Sequence, residues 1–304
     1  MTPDITIAIP AYQGKQTVCA CLKAIEQAAD GWNHEILVIE SSKDGSRELI
    51  QQEFPSVVVI GAPCRLSAGE ARNLAVQHAR GHWLFFVDQD CLVPIDWIPR
   101  LLQHLKTEGV GGAGGSIAVA NPKNISGWCV FFLEFLHHFP NGHGALKTDN
   151  FLIGANSSWR TEILKQTAFP AQTLGEDLHL SERVKALGYT IIYDSSVTVY
   201  HYNRSGWQEF RRYCRAMGRA AGSDQQHIGG WQIRLIKRFP LLVFAIPLII
   251  LPLIAWRLRT APTSYLPRFL ILLPCCLWGQ LMWAKEFRMV ILLTRYREAA
   301  NALL

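Results

Sequence analysis

The chain has 304 residues, of which 49% are hydrophobic and 18% charged, with a net charge of +6. This composition is too apolar for a disordered chain, and the length suits two domains. The charge is uneven: residues 234–304 hold ten basic and two acidic side chains, and the remainder holds 20 and 22. A basic, apolar C-terminal region favours a membrane surface as the partner, and no nucleic-acid-binding motif accompanies it.

The cysteines and the first residues indicate a cytoplasmic setting. The eight cysteines include no C-x-x-C spacing, which argues against a zinc site and predicts buried free thiols in a reducing compartment. The opening residues, MTPDITIAIPAY, contain an acid at position 4 and lack a signal pattern. We therefore expect the inner membrane as the location, with the N-terminal part on its cytoplasmic face.

Short apolar runs alternate with helical patterns in the first hundred residues. Such alternation predicts βαβ units and an α/β fold with a mostly parallel sheet covered on both faces. Ligands of such sheets bind beyond the carboxyl ends of the strands, where Pro10–Tyr12, Glu40–Ser42 and Asp88–Asp90 fall. The predicted strands are 5–9, 35–39, 57–60 and 82–88, and the predicted helices are 16–29, 47–53 and 69–80.

The middle of the chain has a different character. Residues 112–117 are rich in glycine but lack the Lys-Ser/Thr of a phosphate loop, which predicts a glycine-containing strand. Residues 128–136 are aromatic and predict either a core helix or a helix at a lipid boundary. Residues 204–219 begin with an arginine and then combine aromatic side chains with four further arginines. This composition is typical of a helix in a membrane interface.

Two apolar stretches follow, and they predict membrane attachment. Residues 239–256 carry no charge and would form a helix of about 27 Å, and residues 269–284 one of about 24 Å. Two crossings would leave Arg257, Arg259 and Arg268 on the outer side, against the positive-inside tendency. A re-entrant or in-plane hairpin would keep these side chains on the cytoplasmic side, and both arrangements remain open.

Two acidic pairs are the candidate chemical groups. Asp88 and Asp90 follow a predicted strand in D-x-D spacing, so both can face one side and bind one divalent cation on a diphosphate. Glu176 and Asp177 begin a predicted helix. They are either an acidic cluster favoured by the helix dipole or a general base for an attacking hydroxyl.

Six motifs, in this order, resemble family 2 glycosyltransferases of the GT-A fold over about residues 4–220. They are AIPAY, VIESSKDGS, SAGEARNLAVQHARGHWLFFVDQD, GANSSWRTEIL, GEDLHLSERVKALG and YHYNRSGWQEFRRY. The resemblance implies a GT-A catalytic domain over 1–222, with a nucleotide-binding half (1–100) and an acceptor half (101–222). Residues 223–304 would then form the membrane-associated helical region.

The resemblance also implies roles on the donor side. Pro10, Ala11 and Tyr12 would cradle the nucleotide base, and Glu40 stands where the family usually has an aspartate that contacts base or ribose. Asp88 would contact the nucleotide and Asp90 would bind Mn²⁺ or Mg²⁺. The other donor-side positions that match the family are Arg72, Asn73 and Asn156.

Further roles concern the acceptor side and the metal. Asp177 would be the base of an inverting transfer, with Glu176 beside it. His201 either reaches the metal or diphosphate or is an ordinary surface imidazole. Arg211 and Arg212 would hold the donor diphosphate or lipid head groups, although Arg212 stands where processive members have tryptophan.

These features predict a metal-dependent inverting glycosyltransferase of cell envelope glycan biosynthesis. It would move a sugar from a nucleotide-diphosphate donor to a lipid-linked or other membrane-proximal glycan acceptor. A non-catalytic, membrane-tethered scaffold that binds nucleotide sugars is the alternative from another class. A nucleotidyltransferase should have a Gly-rich basic loop near the N-terminus, which residues 11–15 (AYQGK) match poorly.

Overall fold

The computed structural model describes residues 2–141, 144–147, 151–170, 175–223 and 230–301. The chain divides into two compact units that alternate along the sequence. The sheet unit comprises Met1–Ala120 and His138–Tyr202, and the helical unit comprises Asn121–His137 and Asn203–Leu304. The functional division at residue 222 remains a prediction.

A mixed sheet forms the centre of the sheet unit. Its order is β3-β2-β1-β4-β8-β6-β9-β5, with β7 also paired to β9. Strands β3, β2, β1 and β4 are parallel, whereas β8 lies antiparallel between β4 and β6. The strands are β1 (Ile5–Ala11), β2 (His34–Glu40), β3 (Val58–Gly61), β4 (Trp83–Phe86), β5 (Cys91–Leu92), β6 (Val110–Val119), β7 (Ala145–Lys147), β8 (Ser157–Arg160) and β9 (Thr190–His201).

The helices of the sheet unit pack their apolar sides on this sheet. Ala75 and Val76 of α3, for example, join Ala8, Leu84 and Phe86 of the strands in one buried cluster. The predicted alternation of strands and helices is confirmed, with small differences at the element ends. These helices are α1 (Val18–Ala28), α2 (Ser46–Glu53), α3 (Ala68–His78), α4 (Trp97–Leu105), α6 (Thr161–Gln166) and α7 (Glu176–Ala186).

Strand pairing places the predicted ligand-binding segments side by side. In the parallel ladders, Ala11 of β1 pairs with Glu40 of β2, and Ala8 pairs with Phe86 of β4. The residues that follow these three strands therefore lie along one edge of the sheet. This is the edge at which an open parallel sheet binds its ligands.

The helical unit contains α5 (Ile125–Glu134), α8 (Trp207–Ser223), α9 (Gly230–Arg238), α10 (Pro247–Arg257) and α11 (Tyr265–Asn301). Helix α5 covers most of the aromatic run, and Trp128 and Phe131 are buried in this unit, as expected of a core helix. The first apolar stretch begins as a 3-10 helix over Pro240–Ala245 before α10 starts. By length and composition, Pro240–Arg257 and Tyr265–Thr294 could each cross a membrane, and most of both is exposed.

Candidate active site

The D-x-D segment is tied to the end of β1 through its middle residue. The side-chain Nε2 of Gln89 donates to the carbonyl of Tyr12 at 2.8 Å, and its Oε1 accepts from the Tyr12 backbone N–H at 3.0 Å. Gln89 thus fixes the backbone of Tyr12 to the segment that carries Asp88 and Asp90. We did not predict this role of Gln89 from the sequence. Because side chains alternate along an extended segment, the residue between Asp88 and Asp90 should face the opposite side, and this was a signal for it.

A second group at this edge suits a planar, hydrogen-bonding ligand. The guanidinium of Arg65 lies 4.5 Å from the centre of the Tyr12 ring. Glu40 Oε1 accepts from the backbone N–H and the hydroxyl of Ser42, both at 2.6 Å, while its buried Oε2 has no hydrogen-bond partner among the described residues. A buried carboxylate oxygen without a donor is unfavourable, so a ligand N–H would stabilise it. Arg65 lies in a loop without a motif, and no sequence signal indicated it.

Arg72 holds three carboxylates together. Its side chain, only 4% exposed, contacts Asp88 at 3.0 Å, Glu176 at 2.7 Å and Asp177 at 3.1 Å. The position of Arg72 follows from local sequence, because a capping box between Ser67 and Glu70 sets the start of α3. We call Arg72, Asp88, Glu176 and Asp177 the carboxylate cluster. It joins the D-x-D segment to the acidic start of α7.

Gly154 completes the carboxylate cluster from the other side. Its backbone N–H donates to Asp177 Oδ2 at 2.9 Å. A Cβ at this position would lie 2.2 Å from the Arg72 guanidinium carbon, so only glycine leaves room for the arginine. Within the G-A-N motif, the glycine is thus the residue that contacts the carboxylate cluster.

The carboxylate cluster carries more negative charge than one guanidinium neutralises. Burial raises the pKa of Asp177 from 3.8 to about 7, and nearby Glu176 adds to the rise while Arg72 opposes it. Burial likewise raises the pKa of Asp88 above its usual value, again opposed by Arg72. A carboxylate whose pKa lies near neutrality is suited to accept a proton from a substrate hydroxyl.

The far side of the D-x-D segment offers ligands for a divalent cation. The pairing of β5 with β9 places His201 opposite Cys91, and His201 Nε2 lies 3.3 Å from Asp90 Oδ1. Ligand atoms of Asp90, Cys91 and His201 all lie within 4.8 Å of one another. Burial raises the pKa of the Cys91 thiol well above its usual value, so the neutral thiol is a poor ligand. A carboxylate and an imidazole remain, and they fit Mn²⁺ or Mg²⁺ when diphosphate oxygens complete the shell.

Two predicted donor-binding residues have their amides engaged elsewhere. Asn73 makes two hydrogen bonds of 2.8 Å with the backbone of Phe169. Asn156 is fully buried: its Oδ1 accepts from the Trp97 indole at 2.9 Å, and its Nδ2 donates to two backbone carbonyls. Their donor-binding roles remain predictions, while the structure gives both a part in holding the backbone.

The remaining predicted residues lie in two places. Pro10 and Ala11 end β1, as expected for residues at the ligand edge. Arg211 and Arg212 belong to α8 of the helical unit, are exposed, and Arg212 forms an ion pair with Glu209. A role of these two arginines in donor or lipid binding remains a prediction.

The mixed open sheet with carboxylates at its ligand edge is the architecture of the GT-A class of transferases. The sequence matches the model of glycosyl transferase family 2 over residues 6–167, which is more than half of the chain. The protein therefore belongs to glycosyl transferase family 2 and is a glycosyltransferase.

Individual proteins resemble this chain in sequence or in fold. Glycosyltransferase AglE of Haloferax volcanii is 24% identical over 208 residues, which cover 66% of this chain and 67% of the relative. The mannosyltransferase PcManGT of Pyrobaculum calidifontis, solved with GDP-Man and Mn²⁺, superposes with a TM-score of 0.59 and 18% identity, covering 96% of this chain and 87% of its own. S. aureus TarS 1-349, solved with UDP-GlcNAc, gives 0.53 and 14% identity, covering 97% and 92%. These structures confirm the predicted GT-A fold.

Proposed function

We propose that the protein transfers a sugar, with inversion, from a nucleotide-diphosphate donor to a hydroxyl of a lipid-linked or membrane-proximal acceptor. One observation carries the proposal. Arg72 joins the donor-side carboxylate Asp88 and the raised-pKa carboxylate Asp177 through contacts of 3.0 and 3.1 Å. The donor carboxylate and the base are thereby held in one cluster, as a single displacement requires.

On the donor side, the sheet edge binds the nucleotide. Tyr12 offers its ring to the base, and the partnerless Oε2 of Glu40 accepts a base or ribose donor. Asp90 and His201 would hold the Mn²⁺ or Mg²⁺ against the diphosphate. When bound, this ion supplies positive charge that stabilises the nucleoside diphosphate as it leaves. The solved neighbours with GDP-Man, UDP-GlcNAc and Mn²⁺ support this choice of ligands.

On the acceptor side, Asp177 takes the proton of the attacking hydroxyl. The Gly154 N–H and Arg72 fix both of its oxygens, so its orientation is set before the acceptor arrives. An acceptor hydroxyl needs such a base, whereas an anionic phosphate acceptor would not. Together with the two apolar stretches, this favours a hydroxyl of a glycan carried on a membrane lipid, with the sheet unit on the cytoplasmic face.

The experiment measures nucleoside diphosphate release from a panel of UDP-, GDP- and dTDP-sugars with Mn²⁺ and a membrane lipid extract. Asp177→Asn should keep donor binding in calorimetry and lose about 10²- to 10⁴-fold in turnover, the range for a general base. Asp90→Asn should abolish the dependence of donor binding on Mn²⁺. Asp96→Asn, at an exposed carboxylate directly before α4, is the matched control and should behave as wild type.

The configuration of the product tests the inverting mechanism, and donor binding together with nucleotide release tests the scaffold alternative. An inverted anomeric centre in the product, read by NMR, supports the single displacement, and a retained centre contradicts it. A wild-type protein that binds donors but releases no nucleotide would favour the scaffold. A protein that binds none of the donors would contradict the proposed donor site.

A further inference from the structure

We propose that the helical unit attaches to one leaflet of an anionic bilayer without crossing it. The attachment uses the lipid face, which we define as the exposed apolar side of α10 and α11. The proposal rests on the membrane association in the proposed function and decides between its two open arrangements. The lipid face consists of Leu248, Ile249, Trp256, Leu270, Ile271, Leu277, Trp278 and Leu281.

The first turns of α11 pack on α5. The Tyr265 ring lies 5.1 Å from the Trp128 ring, and the Arg268 guanidinium lies 4.4 Å from the same ring. One turn further along both helices, the Phe269 and Phe132 rings are 5.2 Å apart. The beginning of α11 is therefore fixed beside the beginning of α5.

The segments that lead from β6 to α5 and from β9 to α8 are too short to cross a membrane. Asn124 donates to the Ser205 hydroxyl at 2.7 Å. Asn124 follows the end of β6 by five residues, and Ser205 follows the end of β9 by four. At about 3.4 Å per extended residue these segments span at most about 17 and 14 Å, whereas the hydrocarbon core is about 30 Å thick. Two crossings would require residue 265, next to Trp128, to lie beyond that core.

The rest of α11 is packed beside a charged helix. Arg215 and Arg219 of α8 bind Glu286 of α11 at 2.6 and 2.9 Å, and both arginines are about half exposed. A Cβ on Gly218 would lie 2.3 Å from the Trp283 carbonyl oxygen, so the two backbones approach closely there. Because charged side chains are unfavourable in hydrocarbon, this part of α11 stays near water. Helix α8 already packs on α11 at Gly279, where a Cβ would lie 2.5 Å from the Phe210 ring. Only residues 265–278 of α11 precede this packing, and a helix of that length measures about 21 Å.

The exposed side of α11 has the chemistry of a lipid contact. Leu270, Ile271 and Leu281 are exposed, whereas Phe269 and Phe287 are buried. At 100° per residue the exposed residues fall on one continuous side of the helix. Ten basic and two acidic residues lie in 234–304, and this excess complements anionic head groups. The occupant that fits is therefore an anionic lipid surface.

The side of the membrane on which the turn between α10 and α11 lies distinguishes the two topologies. Ser264→Cys, in a Cys64→Ser background, introduces an isosteric thiol at an exposed position of this turn. We would treat sealed right-side-out and inside-out vesicles with a membrane-impermeant maleimide, with wild-type Cys64, exposed on the sheet unit, as the reference. We expect both thiols to react only in inside-out vesicles. Reaction of Ser264→Cys only in right-side-out vesicles, where Cys64 is protected, would overturn the proposal.

A thiol that reacts in neither orientation until detergent is added would place the turn inside the bilayer, which also supports an attachment without crossing. The lipid face has its own test. Ile271→Glu should lower the fraction of purified protein that floats with phosphatidylglycerol vesicles by at least about tenfold. Ile95→Glu is the matched control on the sheet unit, because the two isoleucines are 77% and 76% exposed.

Equal flotation of the two variants would overturn the assignment of the lipid face. Nucleotide release measured in detergent on the same variants separates this failure from a failure of the proposed function. We expect that release to be unchanged in both variants, because neither isoleucine belongs to the donor or base residues.

Discussion

Each of the two units contains an ion cluster, and the excess charge of the two clusters has opposite sign: negative in the sheet unit and positive in the helical unit. In the sheet unit, one arginine serves three carboxylates, and all four side chains are mostly buried. In the helical unit, one buried glutamate, Glu286, is bound by two arginines that are half exposed to solvent. The arginines of the second cluster are hydrated, so its excess charge is tolerated without a further partner.

The side chains of the carboxylate cluster are mostly buried, so water does not stabilise its excess negative charge in the same way. Its charge is offset in part by a retained proton, as the raised pKa of Asp177 shows. A buried, unbalanced cluster at the ligand edge of a sheet is a candidate reactive site, whereas a solvated ion cluster is typical of packing. The difference between the two clusters can be tested by removing one member at a time.

The largest effect is expected when the shared arginine is removed. Arg72→Met leaves three carboxylates close together without a counter-charge, and should lower the free energy of unfolding by about 3–5 kcal/mol. Urea unfolding followed by circular dichroism measures this change. A loss below about 1 kcal/mol would show that the cluster does not depend on Arg72.

A smaller effect is expected from crowding the same arginine. Gly154→Ala places a methyl group where the Arg72 guanidinium lies, and such overpacking costs about 1–3 kcal/mol. The guanidinium must move away from Asp177, so turnover should fall together with stability. Ala155→Gly, at the next position, changes volume without touching the guanidinium and is the control. Equal turnover in the two variants would contradict this role of Gly154.

The carboxylate cluster should also make the free energy of unfolding and the turnover depend on pH. Because the folded-state pKa of Asp177 is raised from 3.8 to about 7, the folded protein binds this proton more tightly than the unfolded chain. Its contribution to stability is present below pH 4 and is lost as pH rises to about 7. Asp177→Asn should remove this slope, measured as unfolding free energy between pH 5 and 8. Below pH 7 the wild-type turnover should fall by about tenfold per pH unit.

The smallest effect is expected in the helical unit. Arg215→Met removes one of two half-exposed partners of Glu286, and should change the free energy of unfolding by about 0–1 kcal/mol. Arg219 continues to bind the glutamate in this variant. The same urea titration measures it beside Arg72→Met. A loss as large as that of Arg72→Met would mean that the two clusters are equivalent.

Local patterns predicted the strands, the D-x-D segment and the acidic helix start, because each depends on neighbouring residues. The grouping around Arg72 could not be predicted from them, since Glu176 lies 104 positions further along the chain. The approach of His201 to Asp90 needed the register of β5 and β9. Asn156 matched a motif, yet its amide is consumed by the Trp97 indole and backbone carbonyls, which only three-dimensional packing reveals.

The membrane topology of the apolar stretches likewise depends on contacts between distant residues, which local patterns do not predict. Their hydropathy indicated membrane contact but left two topologies open, because length alone does not say what packs beside a helix. The contacts of α11 with Trp128 and with the arginines of α8 carry that information.

The pairing of α5 with α11 also has a consequence for how the chain is made. Phe132 leaves the ribosome more than 130 residues before Phe269, its ring partner. At about 5–20 residues per second, the aromatic side of α5 waits roughly 7 to 27 s for that partner during translation. Until then Trp128 and Phe132 lack their ring contacts with Tyr265 and Phe269. Synthesis close to a membrane would shield this nascent segment from aggregation.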